Sequence, residues 1–327
     1  MIARIWHFWP WLILVITGTV WGLSFSLTKL ATNTGAAVLG IAFWQTLLSG
    51  TFLLIYALIR NGSLGIRRHH LGLILVIALS GVLLPGIIFY SASRYVQPGI
   101  LSIADTLVPM LTYGMALLIR LEKVSYIKLL GLLAGAIGIL LLVLPESSLP
   151  DERAVFWVLM SCFGAASYAF ENLIIDRYQP DDLGPIRISV GMNLVAALII
   201  LPMAVYFDHL FIPHLPPGQL EWSILGIAMI SAVAYSSFVF LIVSAGPVFA
   251  SQVGYMVTLS GVFWGILIFD DQYSASVWLA LMVMLVGLTL VRPRRDKIPV
   301  PPSLPSGVKP FIPDQDHHHK PKKTDSD

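Results

Sequence analysis

Two carboxylates stand inside stretches that otherwise read as lipid-soluble. Asp105 lies in "SIADTLVPMLTYG", with no Lys or Arg within ten positions on either side, and Glu171 lies in "GAASYAFENLIIDR". An ionised side chain at the centre of a bilayer costs roughly 3 to more than 10 kcal/mol, so such a group persists where water, a partner or a proton relieves it. Stepping by three and four residues from Asp105 gives Ser102, Pro109, Thr112 and Ala116, a polar and small stripe that faces protein or water rather than lipid. Two roles fit Asp105: a neutral, hydrogen-bonded acid that joins helices, or a binding group for a proton or a cationic solute. Desolvation favours the neutral acid and water or a cation the carboxylate, so alternating access would move a proton on and off.

Glu171 shares a stripe with Ser161, Gly164 and Tyr168, with Asn172 alongside. Its position near a helix end makes a simple reach to the interface the competing expectation. Further polar positions recur on neighbouring stretches: Trp21 and Ser24, Tyr235, and Tyr255. Hydroxyls in helices more commonly bond the carbonyl one turn back, so what matters is their convergence. The candidate substrate-binding or coupling set is therefore Asp105, Glu171, Tyr168, Trp21, Ser24, Tyr255, Tyr235 and Thr112. Aromatic faces, hydroxyls and one or two acids suit a small amphipathic molecule held by stacking or cation–π contact. Tyr90, near a helix end, is expected to anchor at the lipid interface. Lys29 and Arg94 are expected to snorkel to that interface.

No other chemistry is well supplied. His7, His69, His70, His209, His214 and His317 to His319 all fall outside the apolar runs, so no intramembrane histidine metal site is expected. The single Cys162 cannot form an intrachain disulfide and reads as a small buried hydrophobe. With no Gly-rich phosphate loop, no nucleotide or other cofactor is expected. An intramembrane lipid-modifying enzyme would need acids, His or Lys converging near one interface, whereas Asp105 and Glu171 read as lying toward opposite sides. A channel would need a filter loop or a charge ring, and neither is evident.

The elements that position these residues follow from composition. The chain is 57% hydrophobic and 12% charged, with mean hydropathy +0.81, against about 45–50% and 25% in soluble domains. Cutting at charged or Pro/Gly-rich loops leaves ten apolar runs, near 11–31, 37–59, 71–92, 98–119, 127–145, 154–175, 185–206, 222–244, 247–269 and 276–291. A helix needs about 20 such residues to cross the hydrocarbon, and lipid tolerates no open strands. The fold class is thus an all-α integral membrane protein of ten transmembrane helices. With the N-terminus inside, 17 of the 20 basic residues fall on the cytoplasmic side, which predicts both termini cytoplasmic in a plasma membrane, the inner membrane if the cell is prokaryotic. Residues 1–10 form a short cytoplasmic N-terminus. Residues 293–327, rich in Pro, Ser, Lys and Asp, read as a disordered tail.

The halves repeat at an offset of 149, "QPGILSIADTLVPM" against "GPVFASQVGYMVTL". Pro98/Pro247, Ser102/Ser251, Ser125/Ser274 and Gly138/Gly287 match without a gap, and Glu122 stands against Asp271. Five spans per half force the second copy to enter the membrane from the other side. The repeats, 11–145 and 154–292, are therefore inverted, an architecture that lets two copies exchange conformations about a midplane site.

"WGLSFSLTK" in the first run and "RLEKVSYIKLLGLLAGAIGILLLV" after the fourth resemble the drug/metabolite transporter superfamily in its EamA branch. Asp271 stands where that family more often has Glu, and the sixth run lacks a tryptophan often seen there. The resemblance implies spans 1–4 and 6–9 around a central cavity, spans 5 and 10 peripheral, and secondary transport of small metabolites or drugs. The expected partners are a small-molecule substrate and membrane lipid, with no nucleic acid. Gly131 and Gly135 on the fifth run serve either packing or a homodimer.

Overall fold

The computed structural model describes residues 9–61, 65–144, 149, 152–180, 182–245 and 252–291. The expected tail lies outside the described residues. Ten helices follow in chain order: α1 Trp9–Asn33, α2 Val38–Asn61, α3 Arg68–Ala92, α4 Pro98–Leu118, α5 Tyr126–Val143, α6 Glu152–Tyr178, α7 Pro185–Tyr206, α8 Gln219–Ala245, α9 Val253–Phe269 and α10 Ala275–Leu290. The first eight are long and apolar enough to cross a bilayer, while α9 and α10 are shorter apolar helices. At 17 and 16 residues those two still reach about 25 Å at 1.5 Å per residue. Helix α9 starts six residues later than its apolar run suggested, and residues 247–251 of that run lie outside the described residues.

Local chemistry sets the helix ends. Pro98 and Pro185 open α4 and α7 at the first turn, where a missing N–H is harmless and a fixed φ is already helical. The repeat mates Ser125 and Ser274 are the extended residues before α5 and α10.

Exchanging the halves maps the helix pairings onto themselves. Helix α1 packs on α8 and α9, and its mate α6 packs on α3 and α4; α2 packs on α7, α4 on α9, and α5 on α10. Two copies related by an axis in the membrane plane give this pattern, so the chain is a multi-pass membrane protein of two inverted repeats. Small residues permit the closest approaches. A Cβ on Gly131 would strike the Gly287 carbonyl of α10 and Val291 just beyond it, and one on Gly135 would strike Met110 of α4. The glycines of the fifth run thus serve packing within the chain.

Helices α3 and α4 depart from regular geometry. In α3 the segment Leu79–Leu83 is a π-turn, in which the Leu84 N–H reaches back to the Leu79 carbonyl. One residue on, the ring nitrogen of Pro85 carries no hydrogen, so the wide turn leaves the Ser80 carbonyl without its next donor. Ser167 of α6 supplies it, Oγ to O at 2.6 Å. Helix α4 breaks at Thr106 into Pro98–Asp105 and Leu107–Leu118. Pro109 cannot donate to the Asp105 carbonyl four residues earlier, and Thr106 turns both its N–H and its hydroxyl to the Ile103 carbonyl.

Candidate functional site

Asp105 ends the first segment of α4 and is half-buried. The Asp105 carbonyl, which Pro109 cannot serve, adds negative character at that point. Proton or cation would relieve both the carboxyl and the helix end.

Glu171 does not reach the interface. It is 8% exposed and its carboxyl lies against the backbone of Gly81 in the π-turn, where a Cβ would collide with it. The absence of a side chain at residue 81 is what admits the acid.

Tyr168, one turn before Glu171, stacks on Phe89 of α3 with ring centres 6.1 Å apart. Phe89 in turn meets Phe25 of α1 edge-on at 6.3 Å. Asp105, Glu171 and Tyr90 all lie near enough to Tyr168 to act on it electrostatically. The two acids, expected toward opposite sides of the membrane, therefore bear on one phenol. Tyr90 is not an interface anchor: it is 7% exposed and belongs to this group. Tyr235 of α8 also lies within reach of the Glu171 charge. It faces Ser189 of α7, whose buried hydroxyl makes no hydrogen bond of ordinary length.

Other expected members are placed differently. The Ser24 hydroxyl bonds the Trp21 carbonyl at 2.6 Å, and that of Thr112 bonds Val108 at 2.7 Å. Ser102 is spent on Gly99 and on the Thr258 carbonyl of α9. Trp21 meets Phe238 edge-on at 6.2 Å within a small apolar cluster that includes Leu14, Leu241 and Val253. Tyr255 packs on the largest apolar cluster, which also holds Leu101, Met110 and Met284. Sequence reasoning passed over Phe89 and Gly81. Neither carries polar chemistry, and only the fold brings them to the acids.

The two ends of the bundle are tied by different chemistry. At the end carrying the α1–α2 and α3–α4 loops, Lys29 donates to the Val96 carbonyl at 3.1 Å and Arg94 to the Ala36 carbonyl at 2.6 Å. Both cations serve backbone carbonyls. Asp271, in the α9–α10 loop of the same end, has its carboxyl raised above the ordinary range by burial, with the Tyr273 hydrogen bond and the Lys29 charge opposing. At the other end, His70 is fully buried. Its Nδ1 accepts from the Arg67 N–H, so Nε2 carries the proton shared with Asp182 at 3.1 Å. Arg67 completes the group at 3.4 Å from Asp182. His69, His70 and Asp182 gather within metal-ligand spacing, but with Nδ1 accepting from the backbone and Nε2 protonated, His70 has no lone pair to offer a metal.

The sequence profile of the EamA-like transporter family matches residues 9–144 and 154–292. A protein described as an uncharacterized transporter from Archaeoglobus fulgidus is 23% identical over 171 residues, which span 52% of this chain and 60% of that one. The match thus spans less than two thirds of the relative's length. A solved crystal structure shares the fold at TM-score 0.56 and 15% identity, over 86% of this chain and 96% of that one. With ten apolar helices in two inverted halves and a family match across both, the chain belongs to the EamA-like transporter family.

Proposed function

We propose that the chain is a gradient-driven exporter or exchanger of small amphipathic solutes, among them amino acids and drugs, in which Asp105 and Glu171 hold a proton or the cationic group of the solute in turn. One arrangement carries this reading: an aromatic ladder of Phe25, Phe89 and Tyr168 ends one helical turn from the buried Glu171 carboxyl, and Asp105 of α4 acts on the same phenol. An apolar ring face accepts the body of a solute, and a carboxylate accepts its ammonium. Occupation by proton and by solute cation is mutually exclusive at one carboxyl, which couples the two flows. The basic loops support cytoplasmic placement of both termini and residence in the plasma membrane.

Uptake into liposomes tests it, with radiolabelled tetraphenylphosphonium and phenylalanine as probes. Asp105→Asn keeps size and hydrogen bonding while removing titration. Expected is a loss of pH-gradient-driven uptake of about tenfold or more, with solute counterflow retained if Asp105 carries the proton and lost with it if Asp105 holds the solute cation. Wild-type rate and pH dependence in Asp105→Asn would return this aspartate to helix packing. Glu171→Gln should weaken competition by protons in the same assay.

A further inference from the structure

Next to Glu171 the bundle is open sideways. A cavity of about 600 Å³ lies between α3 and α4 with α6 as its floor, lined by Leu79, Ser80, Leu84, Phe163 and Ser167 among others. A second, of about 450 Å³, continues it along α4 and α6 to Arg177, sharing Met115 and Phe170. Leu79, Phe163 and Phe170 are 41%, 59% and 45% exposed. In a transmembrane segment such exposure faces lipid tails. The symmetry-equivalent seam, α1 against α9, is shut: Ser260 donates to the Gly18 carbonyl at 3.0 Å and Trp264 to the Thr19 carbonyl at 2.9 Å.

The partition between this groove and the acid is thin. It consists of the π-turn backbone: Ser80, held by Ser167, and Gly81, whose bare Cα lies against the Glu171 carboxyl. An apolar groove gives a tail nothing that lipid does not already give. Selectivity must therefore reside in a head group, and the carboxylate behind the partition selects a cation.

We propose that the α3/α4/α6 groove is a lateral portal, through which an amphipathic organic cation enters from the bilayer with its alkyl tail in the groove and its amine on Glu171. The inference deepens the transport reading and rests on its assignment of Glu171. A tail that stays in the groove never meets water, and only the ammonium passes the π-turn. The alternative occupant is an anionic phospholipid with its phosphate at Arg177.

Photolabelling decides between them. The full chain in phosphatidylcholine nanodiscs is irradiated with dodecylamine carrying a terminal diazirine, and adducts are mapped by peptide mass. Expected are adducts at Leu79, Leu84, Met115, Phe163 or Phe170, reduced at least about tenfold by Glu171→Gln, the value of one charge-assisted hydrogen bond. Ala166→Trp, which fills the groove from α6, should remove the same adducts if Glu171→Gln fails to fold. Equal labelling in wild type and Glu171→Gln, or labelling by a diazirine phosphatidylglycerol that outcompetes the amine, overturns the portal. Liposome flux is read separately. Glu171-dependent adducts without flux of any amine would sink the transport reading and keep the portal; flux with Glu171-independent adducts would do the reverse.

Discussion

Helices α3 and α4 of the first half and their mates α8 and α9 of the second derive from one repeat, yet they differ where it matters. In the first half a π-turn precedes Pro85, and a break at Thr106 precedes Pro109 and follows Asp105. In the second, the equivalent positions hold Ala234, Thr258 and Gly254, and α9 runs unbroken from Val253 to Phe269. The packing follows. Helix α1 meets α9 backbone to backbone, where a Cβ on Gly22 would come within 2.7 Å of the Val257 carbonyl and 2.8 Å of the Gly261 nitrogen. Helix α6 meets α3 and α4 across a groove. One half has kept the rigid copy and the other has gathered the irregular backbone and Asp105, with Glu171 reaching it from α6 of the second half, so the candidate site lies where helical hydrogen bonding is interrupted.

The largest effect should come from closing space in the rigid seam. Gly22→Leu must push α9 away and is expected to cost about 3 kcal/mol or more, read as a fall in melting temperature or lost folding. Ala166→Leu, on the equivalent helix but facing the groove, should stay within about 0.5 kcal/mol. Similar penalties at the two positions would erase the contrast between the seams.

Ser167→Ala should cost about 1–3 kcal/mol, because it leaves the Ser80 carbonyl unsatisfied inside the membrane. Pro85→Ala returns a backbone donor. In that background the Ser167→Ala penalty should shrink by about 1 kcal/mol, a coupling that a double-mutant cycle measures directly. Strict additivity would mean that the proline is not what frees the carbonyl.

The smallest effect belongs to the surface. Partial desolvation opposes ionisation of Asp182, but the His70 hydrogen bond and the Arg67 charge hold its carboxyl below the usual range. A depressed folded value means a contribution fully present above the unfolded value near about 3.9 and lost as pH falls through the folded one. The melting-temperature gap between wild type and Asp182→Asn should thus be constant at neutral pH and close only in acid. A gap that instead opens on acidification would reverse the sign.

Much of the architecture was legible because lipid imposes it. Ten apolar runs, an odd number per half and a colinear repeat leave few folds open. The break in α4 was readable too, since Pro109 stands four residues after Asp105. What could not be read was non-local. Glu171 looked like an interface residue because nothing in its own helix says that Gly81 will be bare opposite it. Tyr90 looked like an anchor by its place near a helix end, and burial against α1 and α2 overrides that. Ser24 and Thr112 bond their own helix carbonyls, the commoner fate of such hydroxyls, and spacing alone does not distinguish that fate from a cavity role. Lys29 and Arg94 find carbonyls of neighbouring loops, which no helical wheel displays.

The π-turn of α3 holds one residue more than an α-turn would. Such a surplus can travel. If the wide turn moves along the helix by one residue, the residue it passes swings by about 100° around the axis, while the helix ends at Arg68 and Ala92 keep their places. Gly81 could thus be traded for Val82 in front of Glu171 with no displacement of either loop. A bare backbone would become a branched side chain at the partition, a local exchange of register that opens or blocks the passage without a rigid-body movement of the bundle.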